Sequence, residues 1–309
     1  MSSAGALFSV WFTTQLLGIM VLPLTLTVFR NIPGRGYFFA KTFGILAATY
    51  IAWLIASLGF LPFGKGPIAI AIALWGGVSL YFSLRNWREL KDFVRSNIGH
   101  ILTVELLFGA SLVLFTTIKS YNSGIVPTTE GFMDFALLKS ISRGGRFPLN
   151  DPWYSGEAAN YYYFGHIIVA AINTLSRLPA EVFYNLAVAL VFSLLTAGSF
   201  SLGYSLTRKT SYGLVASTFV VLIGNLGGFT QIVASKKFYP FDWFKSSRII
   251  PGTINEFPYF SFLWGDLHAY VLAFPFIVMV LQKANSKPTD NGKMSGGGRM
   301  IKLPRIPKR

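Results

Sequence analysis

Long apolar runs, separated by short polar stretches, dominate the chain. They cover about 5–29, 42–62, 67–84, 100–118, 181–206, 211–235 and 262–283. None alternates with the period of two that marks a half-buried strand. Each approaches the ~20 residues that an α-helix needs to cross a hydrocarbon core. The pattern predicts an all-α fold, a polytopic transmembrane helix bundle of about seven or eight spans. An eighth stretch, 159–178, is more amphipathic. It carries Tyr161, Tyr162, Tyr163, His166 and Asn173 and closes on Arg177. It reads either as a further span or as an interfacial helix lying along the membrane.

The polar stretches divide the rest. Residues 119–180 and 236–261 read as outer loops, the first containing interfacial helices. Residues 85–99, RNWRELKDFVRSNIG, mix charges with Leu90, Phe93 and Val94, as a helix on the bilayer surface would. The run Asn225-Leu-Gly-Gly predicts close helix packing or a local break inside 211–235. Residues 1–283 form one membrane domain. Residues 284–309, rich in Gly, Pro and Lys, read as a basic disordered tail. The N-terminus has no basic leader region and reads as the first span rather than a signal peptide.

Composition strengthens this picture. Hydrophobic residues make up 52% of the chain and charged residues 13%. A soluble domain carries about a quarter charged, and a soluble fold of this composition has nowhere to hide its apolar surface. The net charge of +15 does not imply nucleic acid, because no groove-reading motif accompanies it. In a membrane protein, Lys and Arg collect on the cytoplasmic side and set orientation. The basic tail tips that balance toward an inside C-terminus, with both polar loops outside and the protein a multi-pass component of the plasma membrane. The absence of cysteine excludes disulfides, thiolate catalysis and Cys-based zinc sites.

The chemistry-bearing residues lie in the two loops. Glu130 and Asp134 are four apart and share a helix face, with Phe132, Phe135, Leu137 and Leu138 seating the helix and the acids facing water. Thr128 or Thr129 is placed to cap it, and Gly144, Gly145 and Pro148 to end it. Asp151 before Pro152 predicts a turn. Trp153, Tyr154 and Tyr161–Tyr163 suit a headgroup-level belt. In the second loop, Glu256 precedes Phe257-Pro258, and Asp266 and His268 sit where the last run begins. An ionisable residue at such a boundary is a site hypothesis. Asp266 and His268 can offer an oxygen and a nitrogen to a divalent cation such as Mg or Mn. Glu105, inside the fourth run, is expected to pair with His100 about one turn earlier or with a neighbouring helix.

Three blocks, MDFALLKSI (133–141), FPLNDPWYSGEAANYYYFGH (147–166) and NEFPYFSFLWGDLHAYVLAFPF (255–276), resemble the YYY family of bacterial and archaeal multi-pass membrane proteins. Members of that family are generally longer, so the resemblance implies an N-terminal portion or a truncated member. The layout is in turn similar to the GT-C class of membrane glycosyltransferases, which use polyprenyl-phosphate sugars. That similarity implies Asp134, with Glu130 as runner-up, in the place of the catalytic acid. It implies 159–178 as an interfacial helix. GT-C enzymes have one span before the acidic loop, whereas four come first here.

The function these readings imply is transfer of a sugar from a polyprenyl-phosphate donor. Asp134 or Glu130 would activate an acceptor hydroxyl. Asp266 and His268 would act at the leaving phosphate, directly or through a divalent ion, or Arg143, Arg146, Lys236 or Lys237 would supply its positive charge. Asp151, Tyr161, Tyr162, Tyr163, His166 and Glu256 would line the substrate, with membrane lipid as the other partner. The alternatives are a transporter or flippase-associated protein, for which Glu105 is the one acid well inside a run, and a non-catalytic scaffold.

Overall fold

The computed structural model describes residues 2–125 and 130–285. The Thr128 and Thr129 cap and the tail from 286 onward lie outside these. The described residues form helices α1 (Ser3–Val28), α2 (Phe39–Ser57), α3 (Lys65–Arg85), α4 (Trp87–Ser96), α5 (Ile98–Ser120), α6 (Gly131–Ser142), α7 (Phe164–Ser176), α8 (Ala180–Thr207), α9 (Thr210–Val221), α10 (Gly227–Ser235), α11 (Trp243–Ser246), α12 (Pro258–Trp264) and α13 (Ala269–Ala284). Among them there is no strand. A single bridge, Asn150 to Ala158, closes a small turn. The fold is the polytopic helical bundle that the apolar runs predict.

Five stretches are long and apolar enough to cross a membrane: α1, α3, α5, α8, and Pro33–Ser57, which contains α2 and a 3-10 turn. Three shorter apolar helices, α7, α9 and α13, accompany them. Two of the seven expected runs are therefore interrupted. The run 211–235 divides into α9 and α10 at the Asn-Leu-Gly-Gly break. There Asn225 donates to the Ser246 carbonyl at 2.6 Å and accepts from Gly227 N–H at 2.8 Å, an attachment that a continuous helix would not permit. The run 262–283 divides at 265–268, between α12 and α13. Stretch 159–178 yields only the 13 residues of α7, about 20 Å of helix against a ~30 Å core. Its residues 166–173 are buried on all faces, packed against α1, α2, α6, α8 and α13.

Helix α8 is the hub. It has little polar character on any face and is buried almost throughout, as a helix apolar all round should be. It packs on α5, α9 and α13. Phe115 of α5 stacks on Phe192 of α8 at 4.3 Å, and Phe262 of α12 meets both rings edge-on. This aromatic cluster joins three helices directly beneath the 265–268 turn. Helices α1 and α2 approach so closely that a Cβ on Gly44 would lie 2.1 Å from the Leu17 carbonyl oxygen. Helix α4 buries Phe93 and turns its charges outward, as 85–99 predicts.

The long helices alternate in direction, giving the bundle two polar ends. At one end His100 stacks on Tyr204 at 5.0 Å, and Lys283 donates to the Val28 carbonyl. At the other, Phe63 N–H donates to the Gly145 carbonyl at 2.9 Å and Asn185 to the Ser123 carbonyl at 2.8 Å. Helix α6, the 149–159 turn and the 265–268 turn all gather at this second end. Residue Glu256 joins them by accepting from Tyr270 at 2.7 Å.

Glu105 does not pair with His100. Five residues along a helix is about 140° around it, so the two side chains diverge. Instead Glu105 accepts from Lys41, from Gln15 at 2.6 Å and from Tyr37 at 2.9 Å. Lys41, one residue ahead of the 42–62 run, is 3% exposed within α2.

Candidate functional site

Helix α6 sets two acids one turn apart. Glu130 precedes its first residue, and Asp134 lies in the first turn, where the helix dipole favours negative charge. Both reach the 265–268 turn. Asp134 Oδ2 accepts the Leu267 N–H at 3.0 Å, and Glu130 Oε2 is hydrogen-bonded to His268 Nε2. Helix α7 supplies the third wall: its His166 Nε2 lies 3.1 Å from Asp134 Oδ1. The turn exists because Gly265 closes α12 with φ +86°, a left-handed conformation that favours glycine. His268 then caps α13. Leu267 is wholly buried beside these polar groups and anchors the turn in the core.

Asp134 and His166 are fully buried and Asp266 is 4% exposed. Such groups persist only with hydrogen-bond partners. Asp134 has both oxygens engaged. Asp266 does not: its Oδ2 lies 3.6 Å from His268 Nδ1, and its buried Oδ1 has no partner. Burial pushes the Asp266 carboxyl up, and the Asp134 and Glu256 charges add to this against the opposing pull of His268. For His268, burial disfavours the charged ring. The hydrogen bonds and charges of Asp266, Asp134 and Glu130 outweigh it and push the ring up to about 9. Burial, with the Asp134 and Glu130 charges, likewise pushes the Tyr161 phenol up.

Asp134, Asp266 and His268 each offer one ligand atom within 4.8 Å of the others. Two carboxylate oxygens and an imidazole nitrogen suit a divalent cation such as Mg or Mn. The unpartnered Asp266 Oδ1 is the feature that fits one best.

Other expected site residues fall elsewhere. Asp134 does not face water; it faces the protein and holds the 265–268 turn. His166 is likewise fully buried, its Nε2 against Asp134 Oδ1 and its Nδ1 without a partner. Asp151 is engaged in its own turn, accepting from Trp153 N–H at 2.7 Å and Tyr154 N–H at 3.0 Å. The Tyr163 hydroxyl accepts from Leu149 N–H at 3.3 Å, and Tyr162 is largely exposed. Of the tyrosine triplet only Tyr161 reaches the cluster, its ring 6.2 Å from that of His166. Glu256 lies at the rim, bonded to Tyr270 and 3.9 Å from Arg248.

No hydrogen bond or ion pair among the described residues brings Arg143, Arg146, Lys236 or Lys237 to the cluster. The lysine there is Lys119, 5% exposed in the last turn of α5 and within reach of the Asp266 charge. Tyr184 of α8 also adjoins the two aspartates. Sequence reading missed both: Lys119 looks like an ordinary span-end lysine, and Tyr184 like an ordinary core aromatic.

The family described as uncharacterized membrane protein (DUF2298) matches residues 47–289. The chain belongs to this family. It is the YYY family that the three sequence blocks resemble, and the matched region contains every residue of the cluster. No curated protein and no solved structure matches the chain.

Proposed function

We propose that this DUF2298 protein is a membrane-embedded glycosyltransferase that takes its sugar from a polyprenyl-phosphate donor at the end of the bundle carrying the cluster. That end would face outward from the plasma membrane. The observation that carries the reading is convergence. Glu130, Asp134, His166, Asp266 and His268 come from three separate segments to one place where the helices give way to polar loops. A lipid-linked polar headgroup meets protein at that depth.

The chemistry divides between a buried layer and an accessible one. Asp134 and His166 hold the 265–268 turn from behind. Glu130 and His268 stand in front, and Glu130 is the exposed member. In the transfer step the acceptor oxygen attacks the anomeric carbon. The bond from that carbon to the phosphate oxygen breaks, its electron pair leaves on the phosphate, and the acceptor proton passes to Glu130. This assigns the base to Glu130 rather than Asp134, because a general base must reach the proton it removes. His268, hydrogen-bonded to Glu130, orients it. Positive charge must meet the leaving phosphate. A divalent ion on Asp134, Asp266 and His268 is one source, and Lys119 is the other.

The test is transfer of radiolabel from polyprenyl-phosphate sugars in membranes carrying the full chain, with E130Q as the paired variant. Transfer that needs the chain and falls by roughly 10²–10⁴-fold in E130Q supports the reading. Equal label incorporation with and without the chain would overturn it. The transporter reading has one observation in its favour, the Glu105 cluster inside the bundle. The Glu105 contacts close on α1, on α2 and on Tyr37 just ahead of α2, which suits a structural tie better than a path.

A further inference from the structure

Lys119 is the anomaly of the site. It is 5% exposed, yet its ammonium makes no hydrogen bond or ion pair with any described residue. A Cβ on Gly265 would lie 2.5 Å from its Nζ, so the absence of a side chain at 265 is what admits the lysine to the turn. Beside it lies Asp266, whose buried Oδ1 also has no partner. An ammonium with unused donors, on a side chain otherwise covered, thus stands near a buried carboxylate with an unused acceptor, and they do not pair within 4.0 Å of each other. Burying an unpaired charge costs stability. Elsewhere in this chain the cost is avoided: Lys41 is equally buried and is bonded directly to Glu105.

We propose that Lys119 is the anchor for a phosphate oxygen, and that Asp266 Oδ1 accepts a hydroxyl carried by the same ligand. The ligand class is then a phosphate group bearing a hydroxylated substituent, with the ammonium as the positive charge at the site. Binding accordingly persists without a divalent ion. This rests on the glycosyl-transfer reading and names the residues that hold its donor. The same chemistry is offered by a lipid-linked sugar phosphate and by a soluble sugar phosphate, and the experiment separates them.

Full-length protein in nanodiscs with chelator present is titrated with three probes: a polyprenyl-phosphate sugar, the matching polyprenol without phosphate, and a soluble sugar 1-phosphate. Binding is read by native mass spectrometry and thermal stability by unfolding. The wild type should bind the phosphate-bearing lipid and not the polyprenol. K119M should weaken that binding by roughly tenfold or more, the loss expected for a charge-assisted hydrogen bond, while K119R retains part of it. Without ligand, K119M should be at least as stable as the wild type, since it removes an unpaired charge from a largely covered side chain. A lysine with a merely structural role predicts the opposite, a less stable K119M.

Binding of the soluble phosphate alone would support the anchor and move the donor to the aqueous phase. Equal binding by wild type and K119M, or loss of binding on chelation, would overturn the anchor and leave the transfer reading standing. A wild type that binds none of the phosphates would end both.

Discussion

Two buried ionisable clusters occupy this molecule, and they are built differently. The Glu105 cluster lies inside the bundle, where α1, α2 and α5 meet. Its carboxylate takes Lys41, Gln15 and Tyr37, one partner or more from each neighbouring helix. The Asp134–Asp266 cluster lies at the bundle's end and is unfinished. Asp134 is saturated, but Asp266 Oδ1 is unpartnered and Lys119 is unpaired. A low-dielectric interior makes a completed polar network rigid and an incomplete one costly. The difference separates a group that holds the fold together from a group that waits for something to bind.

The largest expected effect is on the closed cluster. K41M leaves the part-buried Glu105 without its cation and should cost about 3 kcal/mol, the low end for a buried pair, read as a lower unfolding midpoint in nanodiscs. K41M combined with E105L removes both charges and should recover most of that loss. If the double variant is as unstable as K41M, the cluster is not a self-contained pair and the contrast weakens.

D134N comes next. It removes the charge that receives the Leu267 N–H, so it should cost about 1.5–3 kcal/mol and loosen the 265–268 turn. Amide exchange at Leu267 would report that loosening. Unchanged exchange would mean that Asp134 does not position the turn.

The pH response sharpens the comparison without mutation. The folded His268 ring is held at about 9, above its ordinary 6.5. Its contribution to the metal-free protein is therefore fully present below pH 6.5 and lost as pH rises through about 9. Unfolding midpoints measured across this window should fall at the alkaline end, and H268Q should flatten that limb. An identical limb in H268Q would assign it to another group.

The smallest effect is expected at Asp151, which only shapes its own turn. D151A should cost about 1 kcal/mol and leave transfer intact. A large loss of transfer would return Asp151 to the site.

The acids that matter were visible as residue types near boundaries, and their partners were not. Glu130 and Asp134 were legible as one helical face because four residues is about one turn. The reach of that face was not legible, and the direction in which Asp134 points was misread: Leu137 and Leu138 on the same helix are buried with it against the bundle. The tyrosine triplet drew attention to a real neighbourhood. Consecutive residues leave the chain in different directions, so only Tyr161 enters the cluster. Lys119 carried no local signal at all.

Hydropathy alone determined that this chain is a bundle of membrane-crossing helices. Lipid offers the backbone no hydrogen bonds, so a long apolar run is constrained to be helical whatever surrounds it. The interruption at 222–226 was only half legible: Asn225-Leu-Gly-Gly left close packing and a break both open, and another glycine pair, Gly76-Gly77, sits inside the unbroken α3. Tertiary structure decided which charges meet. His166 and Asp134 lie 32 residues apart in sequence, and Leu267 and Asp134 lie 133 apart. Their meeting depends on the packing of α6, α7 and α12 around α8. Whether a buried charge ends up paired is a property of that packing, because the partner's distance and angle set the energy and neither is written in the neighbouring residues.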